Sequence, residues 1–477
     1  MARLCWSPLQ GGKCHWPPHR PVKSHLLLAA SGAESPSFAA QEWAACSSAE
    51  EACLRAATEE TPPVHNYGRA SPPKVPPLLA DNRGGGRQRI AWALVPPAFF
   101  RRRNRRYLSE CGMEPASASA TLTGQAITLA CPSCSRPLDD GGSAFHCPAC
   151  SQDWPILDGI PGFTQPAFWS KLSQDQTAVL LARAPEIGFQ EALLQVLGSV
   201  ADGRDQSAAY EWATDPNRAC GLFLCPLTPD SVVLDCGPGW GTLTLVAAHA
   251  SRAVAAMDPC LENLQVVRLR AREAGLPNIT PVLGDILAPP FPDSHFDLVV
   301  MNGVLEWVGR SQAFASPQAA QEAALVQVQR ILKPGGHLYL AIENRLGFKY
   351  FLGKRDEHTD GLRFTTVLPR WAANLVSRLA GQGRYRTHTY SAGGYRRLLR
   401  RAGFQSARLY LALPDYRHPR FLIPSRGAAF RYVLDNHLRG HPKVPAPLFL
   451  LARLGLRLRL HELFSPAFVI VAEKTQI

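Results

Sequence analysis

Methionine is scarce, four residues in 477, and long apolar runs and strong net charge over most of the chain are missing too. No run approaches the ~18 apolar residues of a spanning helix, so none is expected. The short run His25-Leu-Leu-Leu-Ala-Ala30 falls below the apolar region of a signal peptide. On these absences a cytoplasmic protein is expected. The formal charge of +13 is uneven: residues 1–112 hold 15 Lys+Arg against 8 Asp+Glu, net +7, and residues 113–477 hold 36 against 30, net +6. The larger part is only mildly basic, so its charge does not require a nucleic-acid partner.

Residues 1–112 also lack sustained periodicity. They are rich in Pro, Ala, Ser and Arg, with Pro-Pro pairs beginning at 17, 62, 72, 76 and 96. Such a segment cannot bury enough apolar surface to offset its chain entropy. Its basic run Phe99-Phe-Arg-Arg-Arg-Asn-Arg-Arg106 reads as a solvated charge cluster rather than a phosphate contact. Met113 immediately precedes the first patterned stretch, so the natural start is expected there, with 1–112 an upstream extension or a disordered segment. The whole length allows two or three domains and a large core.

The best-patterned stretch is 231–307. Within it, Val232-Val-Leu-Asp-Cys-Gly-Pro-Gly-Trp-Gly-Thr242 is a β-branched run, an acid, three alternating glycines and the start of a helical stretch to 249. That pattern predicts a buried parallel strand, a tight turn and a helix N-terminus. Glycines let the backbone approach a ligand closely, and the helix end presents unpaired N–H groups to it. Three more strand ends follow in order: 253–258 closing on Asp258, 278–285 closing on Asp285, and 296–302 closing on Asn302. An acid about 20 residues after the loop can accept both ribose hydroxyls of a bound nucleoside. Leu332-Lys-Pro-Gly-Gly336 predicts a turn before a fifth strand, 337–343.

Among thirteen cysteines, Cys131-Pro-Ser-Cys134 and Cys147-Pro-Ala-Cys150 form two Cys-x-x-Cys pairs separated by twelve residues. Two such knuckles on hairpins give four thiolates at tetrahedral reach, the closed arrangement of structural zinc. Adjoining His146 reads as a surface residue. Cys220, Cys225, Cys236 and Cys260 read as core or loop thiols. Residues 164–230 look helical and connective; their Tyr210 and Trp212 are candidates to cover a bound cofactor, although packing is the commoner fate of such aromatics.

The D-x-G-x-G-x-G loop resembles the first motif of class I S-adenosylmethionine-dependent methyltransferases. The stretch 127–474 as a whole resembles bacterial proteins that join a zinc ribbon to such a domain, often encoded among polysaccharide or cell-envelope genes. The resemblance rests on the cysteine ribbon, Val304-Leu-Glu-Trp307, Ile342-Glu-Asn-Arg345, and Asp356 to His358. It implies an α/β, Rossmann-like sheet of seven strands in the order 3-2-1-4-5-7-6 with the last strand antiparallel. It also implies a zinc ribbon at 127–163, a helical connector at 164–230 and a methyltransferase domain at 231–477, with cap insertions at about 345–392 and 414–465. The expected cofactor is S-adenosylmethionine, held by Asp235, Gly237, Gly239, Gly241, Asp258, Asp285 with adjoining Ile286, and Asn302. Cys236 and Pro238 inside the loop depart tolerably from the family pattern.

Beyond the strand ends, Glu306, Trp307, Glu343, Asn344 and Arg345 are expected at the substrate, since ligands of such sheets bind past the carboxyl ends of strands. A sulfonium methyl is already activated, so an enzyme must mainly align the acceptor. An alcohol must also lose a proton, for which His358, with Asp356 beside it, is the candidate base. An ordinary loop histidine is the alternative. No Asn-Pro-Pro-Tyr or Asp-Pro-Pro-Tyr follows the fourth strand, which argues against amino methylation of DNA or protein glutamine. The leading expectation is O-methylation of a sugar, glycan precursor or other small molecule. RNA base methylation and a non-catalytic scaffold are the alternatives. Residues 447–460, leucine-rich with Arg453 and Arg457 one turn apart, are expected to be a core helix. The alternative is an interfacial helix at the inner membrane face, acting on a lipid-linked glycan.

Overall fold

The computed structural model describes residues 127–199, 206–309, 316–359, 361–425, 427–440 and 444–475. The expectations for 1–112 lie outside the described residues. The central strands β5 (Val232–Cys236) and β6 (Ala253–Asp258) are buried at every position. Their Val, Ala and Leu side chains meet protein on both faces, as parallel strands inside a layered sheet require. β7 (Ile279–Leu283), β8 (Phe296–Asn302) and β9 (Leu332–Glu343) complete the parallel part. β10 (Ser406–Leu413), β11 (Phe421–Pro424) and β12 (Ala467–Glu473) follow in sequence. The spatial order is β11-β10-β12-β9-β8-β5-β6-β7. β12 runs antiparallel to both β9 and β10, so β10 points the same way as β9.

Two elements depart from the sequence pattern. The sheet has eight strands rather than seven, because β11 turns back from β10 as a hairpin within the stretch expected to be only an insertion. β9 also begins at Leu332 and takes in the expected turn, through an irregularity against β8 between Phe296 and Leu298.

The cysteine segment forms its own small antiparallel sheet, β1 (Asp139–Asp140) to β4 (Ile160–Pro161), with β2 (Ala144–Cys147) and β3 (Gln152–Leu157) between. It docks on the free edge of β7: the Phe163 N–H donates to the Leu283 carbonyl at 2.8 Å and Gly162 bridges the same residue. Ile160 enters the core beside Ala256, Leu264, Val267 and Leu283. An edge strand with unpaired backbone groups is thereby covered.

The connector supplies α1 (Gln174–Ile187), α2 (Phe189–Gly198) and α3 (Gln206–Thr214). Ser173 and Gln176 close α1 with a reciprocal capping box, satisfying two otherwise orphaned donors. Leu180, Phe189, Leu193 and Val196 pack with Trp240 of the glycine loop and Val266. The helical layer therefore sits against that loop.

α4 (Thr242–His249), α5 (Leu261–Glu273) and α6 (Pro317–Ile331) flank the main sheet. α7 (Phe348–Phe351) and α8 (Arg370–Leu379) follow β9, then α9 (Ala392–Arg401). α10 (Gly427–Val433), α11 (Ala446–Arg457) and α12 (His461–Phe464) precede β12. α11 has no buried residue, which corrects the expectation of a core helix. No described helix is long and apolar enough to cross a membrane.

Candidate functional site

Gly237, Gly239 and Gly241 all adopt left-handed φ, at 67°, 55° and 80°, a conformation that Cβ-bearing residues avoid. A Cβ on Gly237 would stand 2.6 Å from Val304 Cγ2, and one on Gly239 2.8 Å from the Trp212 ring. Trp212 thus lies against the glycine turn, with the Arg218 guanidinium 4.8 Å and the Lys171 ammonium 5.3 Å from its ring centroid.

The carboxyl ends of the two strands beside β5 flank the turn. Cys236 pairs with Met257 on one side and Met301 on the other, which places Asp258 and Asn302 one residue further on. Asp258 is buried, accepting from the Cys260 N–H at 2.8 Å and from Asn263 at 3.4 Å. Burial pushes its carboxyl up to about 7 against those hydrogen bonds. Both amide atoms of Asn302 are buried without a protein partner. Asp285 is half-buried and accepts from the Leu287 N–H at 2.9 Å; Ile286 is buried beside it. Asp235 has a different surrounding from the one expected of a cofactor ligand. It is buried, receives the Thr244 hydroxyl at 2.7 Å, and ties the turn to α4.

A second group gathers past β8 and β9. Glu306 lies on a 3-10 turn, Leu305–Trp307, and Glu343 is the last residue of β9. The segment after α7 brings in His358, and the three side chains converge, their ligand atoms all within 4.8 Å of one another. Glu306 and Glu343 are each 1% exposed, and each has one oxygen, Oε2, buried without a hydrogen bond. The Tyr416 hydroxyl is 3.4 Å from Glu306 Oε1, and Arg417 is 4.0 Å from Glu343 Oε1. Burial, and then the neighbouring Glu343, push the Glu306 carboxyl up to about 8.

His358 Nδ1 is 3.0 Å from Asp356 Oδ1, while Nε2 lies 3.8 Å from Glu343 Oε2. Burial opposes charge on this imidazole, but Asp356, Glu343 and Glu306 outweigh it and raise its pKa to about 9. These neighbours favour the protonated ring, which weighs against His358 acting as the base. Asp356 accepts the Thr365 and Tyr385 hydroxyls, both at 2.7 Å, and orients the ring. Trp307 packs on His358 at 5.0 Å and on Trp169 at 4.9 Å between ring centroids.

Asn344 and Arg345 do not join this group. Asn344 is fully buried and donates to the carbonyls of Leu463 at 2.7 Å and Ser465 at 2.8 Å. Arg345 donates to those of Thr366 at 3.0 Å and Leu368 at 2.6 Å. Their polar groups brace the cap, correcting the expectation of substrate contact.

Tyr416 and Arg417 were not foreseen. They follow β10, whose carboxyl end lies on the same side as that of β9, so the strand-end rule extended to Leu413 would have found them. Around them, Arg417 pairs with Asp415 at 3.1 Å and with Glu357, and Lys349 pairs with Asp415 at 2.9 Å.

In the ribbon, the four sulfur atoms of Cys131, Cys134, Cys147 and Cys150 also lie within 4.8 Å of one another, Cys134 and Cys147 at 3.6 Å. Zinc–sulfur bonds of ~2.3 Å in a tetrahedron set sulfurs ~3.8 Å apart. The two knuckles are equivalent: Ser135 and Ser151 follow at left-handed φ of 59° and 53°, each N–H donating to the first cysteine's carbonyl. This donor set fits zinc. His146 is outside it, paired with Asp153 at 2.6 Å in solvent.

Residues 234–340 match a family described as a methyltransferase domain. An uncharacterized methyltransferase of Mycobacterium bovis is 33% identical over 147 residues, 28% of this chain and 54% of that protein. A demethylmenaquinone methyltransferase of Tropheryma whipplei is 36% identical over 123 residues, 25% and 45% respectively. A ubiquinone/menaquinone biosynthesis C-methyltransferase of Shewanella frigidimarina is 34% identical over 114 residues, 23% and 41%. The chain spans about half the length of the relatives it matches. The segment that matches the methyltransferase-domain family runs from β5 into β9 and contains the glycine turn, Asp258, Asn302 and Glu306.

Proposed function

We propose that the chain is an S-adenosylmethionine-dependent methyltransferase that modifies an oxygen of a small molecule, a sugar or glycan precursor foremost. The observation that carries the cofactor reading is the left-handed glycine turn flanked by Asp258 and by Asn302 with its unpartnered buried amide. The turn admits a ligand against bare backbone. Asp258 offers acceptors for two ribose hydroxyls, and Asn302 offers a donor and an acceptor to the amino-acid or base end of the cofactor. Asp285 and Ile286 stand at the next strand end, where an adenine ring is read. When bound, the cofactor supplies an activated methyl on a sulfonium centre.

The acceptor is assigned to the space around Glu306, Glu343 and Trp307. These side chains sit past β8 and β9, next to the strand that ends in Asn302, and residues from both insertions close over them. A few buried polar groups under a cap suit a small polyhydroxyl acceptor better than a polymer laid across an open groove. The ribbon is assigned one structural zinc, bound by Cys131, Cys134, Cys147 and Cys150, with no position left open for chemistry.

Titration calorimetry of the full chain with S-adenosylmethionine and its demethylated product tests the cofactor. One site per chain is expected. Absence of heat with both compounds, at protein concentrations well above micromolar, would remove the reading. Transfer of a labelled methyl group to a panel of sugar nucleotides then tests the acceptor class.

A further inference from the structure

We infer that Glu306, Glu343 and His358 form a binding site for a divalent first-row metal ion, whose open positions take two neighbouring hydroxyl oxygens of the acceptor. Three separate elements deliver the ligands: the turn after β8, the end of β9, and the segment after α7. Two carboxyl groups brought together at 1% exposure, each keeping an oxygen without a hydrogen bond, present buried acceptor atoms that a bound cation would satisfy. Tyr416 and Arg417 approach the Oε1 atoms and leave both Oε2 atoms unsatisfied.

His358 presents Nε2 to the same point. Its Nδ1 is engaged by Asp356, and Asp356 is itself fixed by two hydroxyls. A carboxylate behind a histidine whose other nitrogen faces two more carboxylates is the outer-shell pattern that orients metal-binding imidazoles. The Nε2-to-Oε2 distance of 3.8 Å to Glu343 is beyond a hydrogen bond. It lies within the ~3–4.2 Å that separates two donors each about 2.1 Å from one ion. The widest ligand-atom separation, up to 4.8 Å, closes with side-chain shifts of a few tenths of an ångström.

One imidazole with two carboxylates suits Mn²⁺, Fe²⁺ or Zn²⁺ better than Mg²⁺ or Ca²⁺. Three protein ligands leave coordination positions for solvent or substrate, unlike the closed four-thiolate site. Vicinal hydroxyls, as on a sugar, would fill two of them. This substrate class rests on the proposed methyl-transfer function; the ion site itself does not.

Titration of the full chain with Mn²⁺, followed by electron paramagnetic resonance of the free ion, measures the site without needing activity. One Mn²⁺ per chain is expected, with at least tenfold weaker binding in the isosteric Glu306→Gln and Glu343→Gln variants. His358→Asn, which retains a short polar side chain, is expected to weaken it similarly should either glutamine variant fold poorly by circular dichroism. Wild-type protein that takes up no Mn²⁺, or folded variants that bind it as wild type does, overturns the inference. Calorimetry with S-adenosylmethionine on the same preparations keeps the two ideas apart. Cofactor binding without Mn²⁺ uptake rejects the ion alone, and Mn²⁺ uptake without cofactor binding supports the ion and rejects methyl transfer.

Discussion

Asp258 shows how burial can hold one carboxyl side chain at a disadvantage. In the folded chain burial raises its carboxyl from 3.8 to about 7, so the native state binds this proton more tightly than the unfolded chain does. The contribution to stability is therefore fully present below about pH 4 and lost as pH rises through about 7. At pH 8 the buried charge weighs against folding by up to a few kcal/mol. Asp258→Asn should consequently gain stability relative to wild type between pH 5 and pH 8, as urea melts at the two values would record. A difference that stays flat with pH would mean Asp258 is not the titrating group. The same change should weaken S-adenosylmethionine by about 1.5–3 kcal/mol, because a charged acceptor for two hydroxyls is replaced by a neutral amide. Asp258 was legible from sequence because the motif that marks it is local, an acid ending a short strand after a glycine turn. Tyr416 was not: its partner Glu306 is 110 residues away, and only the direction of β10 brings the two together.

Among elements, those with a self-contained pattern are legible in the sequence, and those defined by a distant partner are not. β6 and β8 and helix α4 match their expected limits because each carries a local apolar pattern bounded by polar or turn residues. β11 has four residues and becomes a strand only by pairing with β10, so nothing in Phe421–Pro424 announces it. Asn344 looked like a site residue because it follows a strand end, yet it fastens β9 to the junction before β12. Asn344→Ala leaves the carbonyls of Leu463 and Ser465 without this donor. It should lower unfolding free energy by about 2–4 kcal/mol, with cofactor affinity nearly unchanged in the folded fraction. Calorimetric and denaturant titrations of one preparation check both halves, and a large affinity loss at unaltered stability would return Asn344 to the site. The ribbon makes a parallel prediction. Cys147→Ser should release one zinc per chain by metal analysis and loosen the β7 edge, seen as faster amide exchange around Leu283, since a zinc module's binding energy is also folding energy.

Among the described residues, two rows of exposed apolar side chains serve neither the sheet nor the proposed site. On α8, Trp371, Leu375 and Leu379 recur every fourth residue and are 73%, 52% and 80% exposed. On α11, Leu450, Leu451 and Leu454 are likewise more than half exposed, and Arg453 and Arg457 lie one turn apart on that helix. Exposed leucines occur singly on most proteins, but such rows on two amphipathic helices go beyond that background. We propose that these helices rest on an anionic lipid surface, leucines in the headgroup boundary and arginines meeting lipid phosphate. Gly455 weakens α11 by about 1 kcal/mol relative to Ala, an amount that insertion of even one leucine offsets. The full chain should therefore sediment with vesicles containing phosphatidylglycerol and remain in solution with phosphatidylcholine alone. The difference should shrink as salt rises, because the Debye length falls to ~3 Å at 1 M. Leu450→Glu with Leu454→Glu should abolish sedimentation without altering the melting temperature, as neither side chain is buried. Protein that stays in the supernatant with both vesicle types would reject the lipid surface. A freely diffusing sugar derivative would then be favoured over a lipid-linked acceptor for the site at Glu306 and Glu343.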